Sequence, residues 1–304
     1  MGALVKAEFR KILTTRLWWA LMIPAVAVGL LVALLWAAGA ADFGSGVATG
    51  FRDRGLDLRP FQGEISWSVL ALPRALNMAA VLPMVFGTLA ITNELHHRTI
   101  TTTFLTGAPR GMVLAAKGVA YALWGAIFGV VIALSVSLGT LIGSGGDNLP
   151  DAGPWLLILG SGVLMCVLWT LLGLGVGALI GSSIGALVLL LIYSLVVGPL
   201  GELLLYTTSR GGHVGGFMPN GSANGITGST TTTVLMDQIN VLLVDSEDQA
   251  LFADAYREVA DAVVRVATGA AGAYSAWICG LIFAGWTALF YGLGFWRNAR
   301  RDIT

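Results

Sequence analysis

The sequence predicts an all-α, polytopic membrane protein: six transmembrane helices, a short interfacial helix before the first, and a helical outer segment before the last. Three observations predict it. Apolar residues fill 56% of the 304 positions and charged residues only 11%, against about 25% charged in an ordinary soluble domain, and the mean hydropathy is +0.80. The apolar residues form long uninterrupted blocks instead of recurring at amphipathic spacing, so the length prior of about two soluble domains gives way to membrane spans. Lys and Arg are shared unequally between the two sides that such spans define.

Four runs carry no charge: residues 17–40, 118–146, 153–200 and 266–296. At 1.5 Å per residue and roughly 20 residues per crossing, 153–200 holds two spans, with the turn at Gly181-Ser182-Ser183. A further span precedes Asn93. The spans are therefore placed at 17–40, 69–92, 118–143, 154–180, 183–206 and 271–296. The first run exceeds the roughly 7 to 15 apolar residues of a signal-peptide core and reads as a retained anchor. Cys166 and Cys279 fall within spans and read as small core residues, not as a secreted disulfide framework.

In this arrangement ten of the 17 Lys and Arg lie on the side of the termini, six on the other, and Arg74 at a span edge. The positive-inside rule then puts both termini in the cytoplasm. Acidic residues agree, with Glu8, Glu94 and Asp302 inside and the other fourteen outside. Residues 1–16 place Val5, Phe9, Ile12 and Leu13 on one face and Lys6 and Arg10 away from it. That pattern suits a helix in the headgroup layer; an ordinary basic flank is the alternative.

Outside the membrane, 41–68 reads as a loop with alternating charge and 144–153 as a shorter one. The segment 207–270 opens with GGHVGGFMPNGSANGITGSTTTT, whose composition predicts an irregular surface loop. Two amphipathic helices are expected after it, near 234–244 and 249–266.

Chemistry-bearing motifs are few. No G-x-x-x-x-G-K-[ST] run is present, so the chain carries no P-loop nucleotide site. His96, His97 and His213 lack a second ligand at helical spacing, so no metal site is expected. Residues 181–185 match G-x-S-x-G, but at a helix-to-helix turn with no histidine in any span to serve as base. Gly173, Gly177, Gly181 and Gly185 recur every four residues, a spacing that lets helices approach closely in lipid. Arg74 and Glu202 lie near the outer ends of the second and fifth spans. They either pair, flank an exit route, or each snorkel to the interface.

The most informative stretch is 93–117, with Glu94 leaving the second span, Arg98-Thr99 following, then Pro109-Arg110 and Lys117 leading into the third. This pattern resembles the permease subunits of type 2 ABC exporters, and the resemblance extends over nearly the whole chain: six spans, cytoplasmic termini, an interfacial first helix and a large outer segment. It departs from many members in having His97-Arg98-Thr99 where they carry a glycine before the threonine, and in its long, glycine-rich outer segment. The resemblance implies that residues near 98–105 form a coupling helix for an ATPase subunit, with Glu94, Arg98, Thr99, Ile100, Phe104, Pro109, Arg110 and Lys117 in the coupling region. Ile100 and Phe104, at i and i+4, supply the anchors such a contact needs.

It further implies cytoplasmic ABC ATPase partners that hold the ATP and Mg, no cofactor on this chain itself, and a second permease protomer, as a homodimer or heterodimer. The cargo is then an amphipathic or hydrophobic molecule. The surroundings are membrane lipids, with no nucleic acid, and the alanine- and glycine-rich, lysine-poor composition suggests a bacterial inner (cell) membrane. The outer segment could include a re-entrant piece within 234–244. An intramembrane hydrolase and a non-transporting scaffold or sensor are the alternative functions.

Overall fold

The computed structural model describes residues 1–53, 65–96, 109–147, 149–244 and 253–300. The protein is all-α. Among these residues six helical stretches are long and apolar enough to cross a membrane: Leu17–Ala38, Trp67–Glu94, Gly111–Gly143, Ala152–Ile180, Ser183–Thr208 and Ala276–Asn298. It is a multi-pass membrane protein.

In chain order the helices are α1 (Gly2–Thr14), α2 (Leu17–Ala38), α3 (Ala40–Arg52), α4 (Ala71–Ala79), α5 (Val81–His96), α6 (Arg110–Gly143), α7 (Ala152–Ile180), α8 (Ser183–Ile192), α9 (Gly198–Thr208), α10 (Pro219–Val244), α11 (Ala253–Thr268) and α12 (Ala276–Arg300). A 3-10 turn, Trp67–Leu70, leads into α4. α4 and α5 make one span interrupted at Ala80, where Pro83 has no N–H to bond the carbonyl of Ala79. α8 and α9 make another, joined through a π-helical turn at Tyr193–Val197. Pro199 lies just beyond that turn and cannot continue an α-helical ladder. The alternation of the spans gathers α1, the end of α5, the start of α6, the α7–α8 turn and the end of α12 at one end, here the termini end.

α7 is the hub, packing against α5, α6, α10 and α12. Lipid supplies no hydrophobic drive between helices, so close contact depends on small residues. A Cβ on Gly87 of α5 would fall against the carbonyl oxygen of Thr170 in α7. On the other side of the bundle α2 turns Ala25, Gly29, Ala33 and Ala37 inward, and Gly139 and Gly143 of α6 abut the carbonyls of Leu30 and Leu34. Cys166 and Cys279 are buried free thiols.

The structure corrects four expectations. α6 begins at Arg110 rather than at 118, because Pro109 has extended ψ and the following Gly-Met-Val-Leu-Ala-Ala continues the helix. Residues 40–52 are helical rather than a loop. On α1, which packs against α6, Ile12 is buried and Phe9 meets the ring of Trp124 at 5.7 Å as the apolar face predicts, whereas Leu13, expected on that face, is exposed. Lys6 and Arg10 are exposed, as expected.

The fourth correction is the largest. Residues 211–218 of the Gly/Ser/Thr/Asn-rich stretch are turns, as expected, but 219–233 form the first half of α10, and Ser222, Thr227 and Thr231 are fully buried. Buried inside the bundle, where little water competes for the backbone, a helix is the way to satisfy every amide. Its hydroxyls bond back one turn, Ser222 to Met218 O at 2.9 Å, Thr232 to Gly228 O at 2.9 Å and Thr233 to Ser229 O at 3.1 Å. The chain dips after α9 and returns along α10. Trp286 Nε1, roughly 15 Å along α12 from Ala276, donates to Phe217 O at 2.9 Å. Gln238, near the far end of α10, meets Ser66 at the head of the second span. The entry to α10 is thus the part of the outer segment that reaches furthest along α12, while 234–244 runs beside the head of the second span.

Candidate functional site

Two groups of polar residues lie within the bundle. The first is at the termini end. Lys117, two turns into α6, is 1% exposed and its Nζ donates to Glu8 Oε2 at 2.6 Å and to Glu94 Oε1 at 2.8 Å. Lys11 of α1 also donates to Glu94 Oε1. The Lys117 ammonium lies 5.5 Å from the centroid of the Tyr121 ring. Among the described residues two ammonium and two carboxylate groups meet here, which is what lets charge remain in a desolvated place. An aromatic cluster closes beside them: Trp124 touches Phe9, Trp18 and Phe86 at centroid distances of 5.7, 5.6 and 6.1 Å.

This arrangement relocates two residues of the sequence-derived coupling set. Glu94 and Lys117 are buried ties between α1, α5 and α6, not exposed loop groups. Pro109 is the residue before α6 and Arg110 its first. Arg98, Thr99, Ile100 and Phe104 lie outside the described residues. The sequence reading missed Glu8 and Lys11. Glu8 is the lone acidic residue among basic ones on α1, and it shares a face with Phe9 and Ile12, which was the available signal.

The second group surrounds a cavity of about 450 Å³ between α2, α4, α9 and α10. Arg74 and Glu202 both line it but do not bond each other. Arg74 donates from Nε to Ala267 O at 2.6 Å and from Nη2 to Val266 O, capping the last turn of α11, and lies 5.3 Å from the Trp36 ring centroid. Glu202 accepts from Asn220 Nδ2 at 2.7 Å and Asn224 Nδ2 at 3.4 Å. Asn77 accepts from Thr227 Oγ1 at 3.0 Å. Comparison with family models and with curated proteins found no match. The site therefore has to be read from its own chemistry. Asn220 and Asn224 went unread because their segment looked like a surface loop, although their i, i+4 spacing places both on one helical face.

The glycine series divides. Gly173 and Gly177 pack on the carbonyls of Met84 and Thr88 in α5. Gly181, at φ 73°, ends α7 in the left-handed region, whereas Gly185 has no neighbour closer than 3.5 Å. Ser182 is the N-cap of α8, accepting from Gly185 N at 3.3 Å. The G-x-S-x-G match thus has a structural use. Ser182→Ala is expected to lower stability by about 1 kcal/mol, and Ser182→Asp to preserve it; thermal melting in detergent checks both. His213 stacks on Tyr274 at 4.8 Å, and among the described residues no cluster of three metal-ligating side chains exists.

Proposed function

We propose that this chain is the membrane permease subunit of an ATP-driven exporter of the type 2 ABC class, with both termini in the cytoplasm of a bacterial cell. In this reading it moves an amphipathic or hydrophobic molecule outward and pairs with a second permease protomer. The ATP and Mg reside on a separate ATPase, which alters transport by contacting two arrangements of the permease differently.

The observation that carries the reading is the Glu8–Lys117–Glu94 tie. It joins both flanks of 97–108 to α1, so a force applied to that segment would be delivered to three helices together. Support also comes from the residue pattern Glu94, Arg98-Thr99, Pro109-Arg110 and Lys117 around it.

The test is co-expression with an ATPase encoded beside it. Phe104→Ala is expected to weaken the complex by about 2 kcal/mol, roughly 30-fold in affinity, and Arg98→Glu to abolish stimulated hydrolysis. Unchanged co-purification and hydrolysis in both variants would overturn the proposal.

A further inference from the structure

Arg74 and Glu202 face one cavity with their charges uncancelled by contact. Two guanidinium nitrogens of Arg74 are spent on the neutral carbonyls of Ala267 and Val266. Glu202 is 4% exposed and is held by two neutral amides. Among the described residues no cation lies within ion-pairing distance of it. A charge at membrane depth interacts far more strongly with an arriving counter-charge than it would in water. The cavity therefore offers one site for an anionic group and one for a cationic group, with no net charge.

Its mouth is different in kind. Met78, Leu195, Leu200 and Leu203 line the same space and are 44–64% exposed on the outer surface of the bundle, where the neighbours are lipid chains. The volume of about 450 Å³ falls within the range of small-molecule sites, about 300–1,000 Å³. It suits a compact polar group; a long hydrocarbon chain would have to remain outside, across Leu200 and Leu203.

We infer that this cavity binds the headgroup of a zwitterionic amphiphile, its anionic group at Arg74 and its ammonium at Glu202, with the tail in the lipid. Binding rests on the cavity; that the occupant is exported cargo rests on the exporter reading. A bilayer lipid and a cargo molecule share this chemistry.

The full chain, purified without an ATPase in a non-ionic detergent, is titrated with three single-chain amphiphiles of equal length: a lysophosphatidylethanolamine, a lysophosphatidylglycerol and an alkylamine. Tryptophan-fluorescence melting reads the binding. The zwitterion is expected to bind at least about tenfold more tightly than either singly charged probe, about 1.4 kcal/mol. Glu202→Gln should remove that preference in favour of the anion.

Arg74 also caps α11, so the independent variant is Leu200→Trp. It lies on the exposed surface and should weaken zwitterion binding by narrowing the mouth while leaving the ligand-free melting temperature unchanged. Equal affinity for the three probes, or zwitterion affinity untouched by Glu202→Gln and Leu200→Trp, would overturn the inference. That outcome would leave the exporter proposal to its own test at Arg98 and Phe104. With an ATPase bound, stimulation of hydrolysis by the zwitterion supports the site as one for cargo; binding without stimulation supports it as one for a resident lipid.

Discussion

Replacing Lys117 by methionine is expected to lower stability by about 3–5 kcal/mol, the cost of breaking a buried ion pair from one side. Its Nζ holds Glu8 at 2.6 Å and Glu94 at 2.8 Å. Methionine fills the same space but leaves both carboxylates in a desolvated pocket, repelling each other. Lys11, with its side chain 42% exposed, reaches Glu94 and is too well solvated to replace the lost cation. The triple variant Glu8→Gln, Glu94→Gln, Lys117→Met should recover most of the loss, because it removes the charges together. Thermal melting in detergent micelles, followed by tryptophan fluorescence, checks both. A single variant melting within about 1 °C of the parent would contradict the buried tie.

Gly87→Val is the second large effect. The added Cβ meets the Thr170 carbonyl oxygen, a backbone atom of the adjoining helix that has no rotamer to change. α5 and α7 would have to separate, losing contact along the hub of the bundle. Overpacking of this kind typically costs about 1–3 kcal/mol and sometimes more; with backbone as the obstacle the cost is expected at or above the top of that range. Gly185→Ala is the control, since its nearest atom is a side-chain oxygen 3.5 Å away in its own N-cap residue, and should change stability by less than about 0.5 kcal/mol. Size-exclusion profiles and melting temperatures of the two variants, compared with the parent, decide the matter.

The spans were legible because a bilayer imposes a length and forbids stray charge, and both demands are written into unbroken runs such as 17–40 and 153–200. The Gly181–Ser183 turn was legible for the same reason. α10 was not, because Ser, Thr, Asn and Gly signal a loop only when water is available to compete for the backbone. Where α10 is packed among α7, α11 and α12, the same residues satisfy themselves, and small side chains permit close contact. That error concealed Asn220 and Asn224, the partners of Glu202, while Arg74 and Glu202 stood out as charges next to apolar runs. At the termini end, Glu94 and Lys117 were noticed but placed in a loop. Hydropathy marks the apolar run of α6, but not the helical turns ahead of it in which Lys117 is enclosed.

The composition of α10 also bears on how the protein is made. Its Asn220–Thr233 half is too polar to leave an insertion channel for lipid by itself, so it cannot enter the membrane as an independent unit. The surface that receives it includes α12, where Cys279 fits against Gly225, and α12 is synthesised afterwards. The bundle must therefore stay open on that side until the last span has been inserted, and a chain ending before Ala276 would leave α10 without the wall it packs on. Final closure is therefore expected to follow the insertion of α12, in the order in which the ribosome delivers the helices.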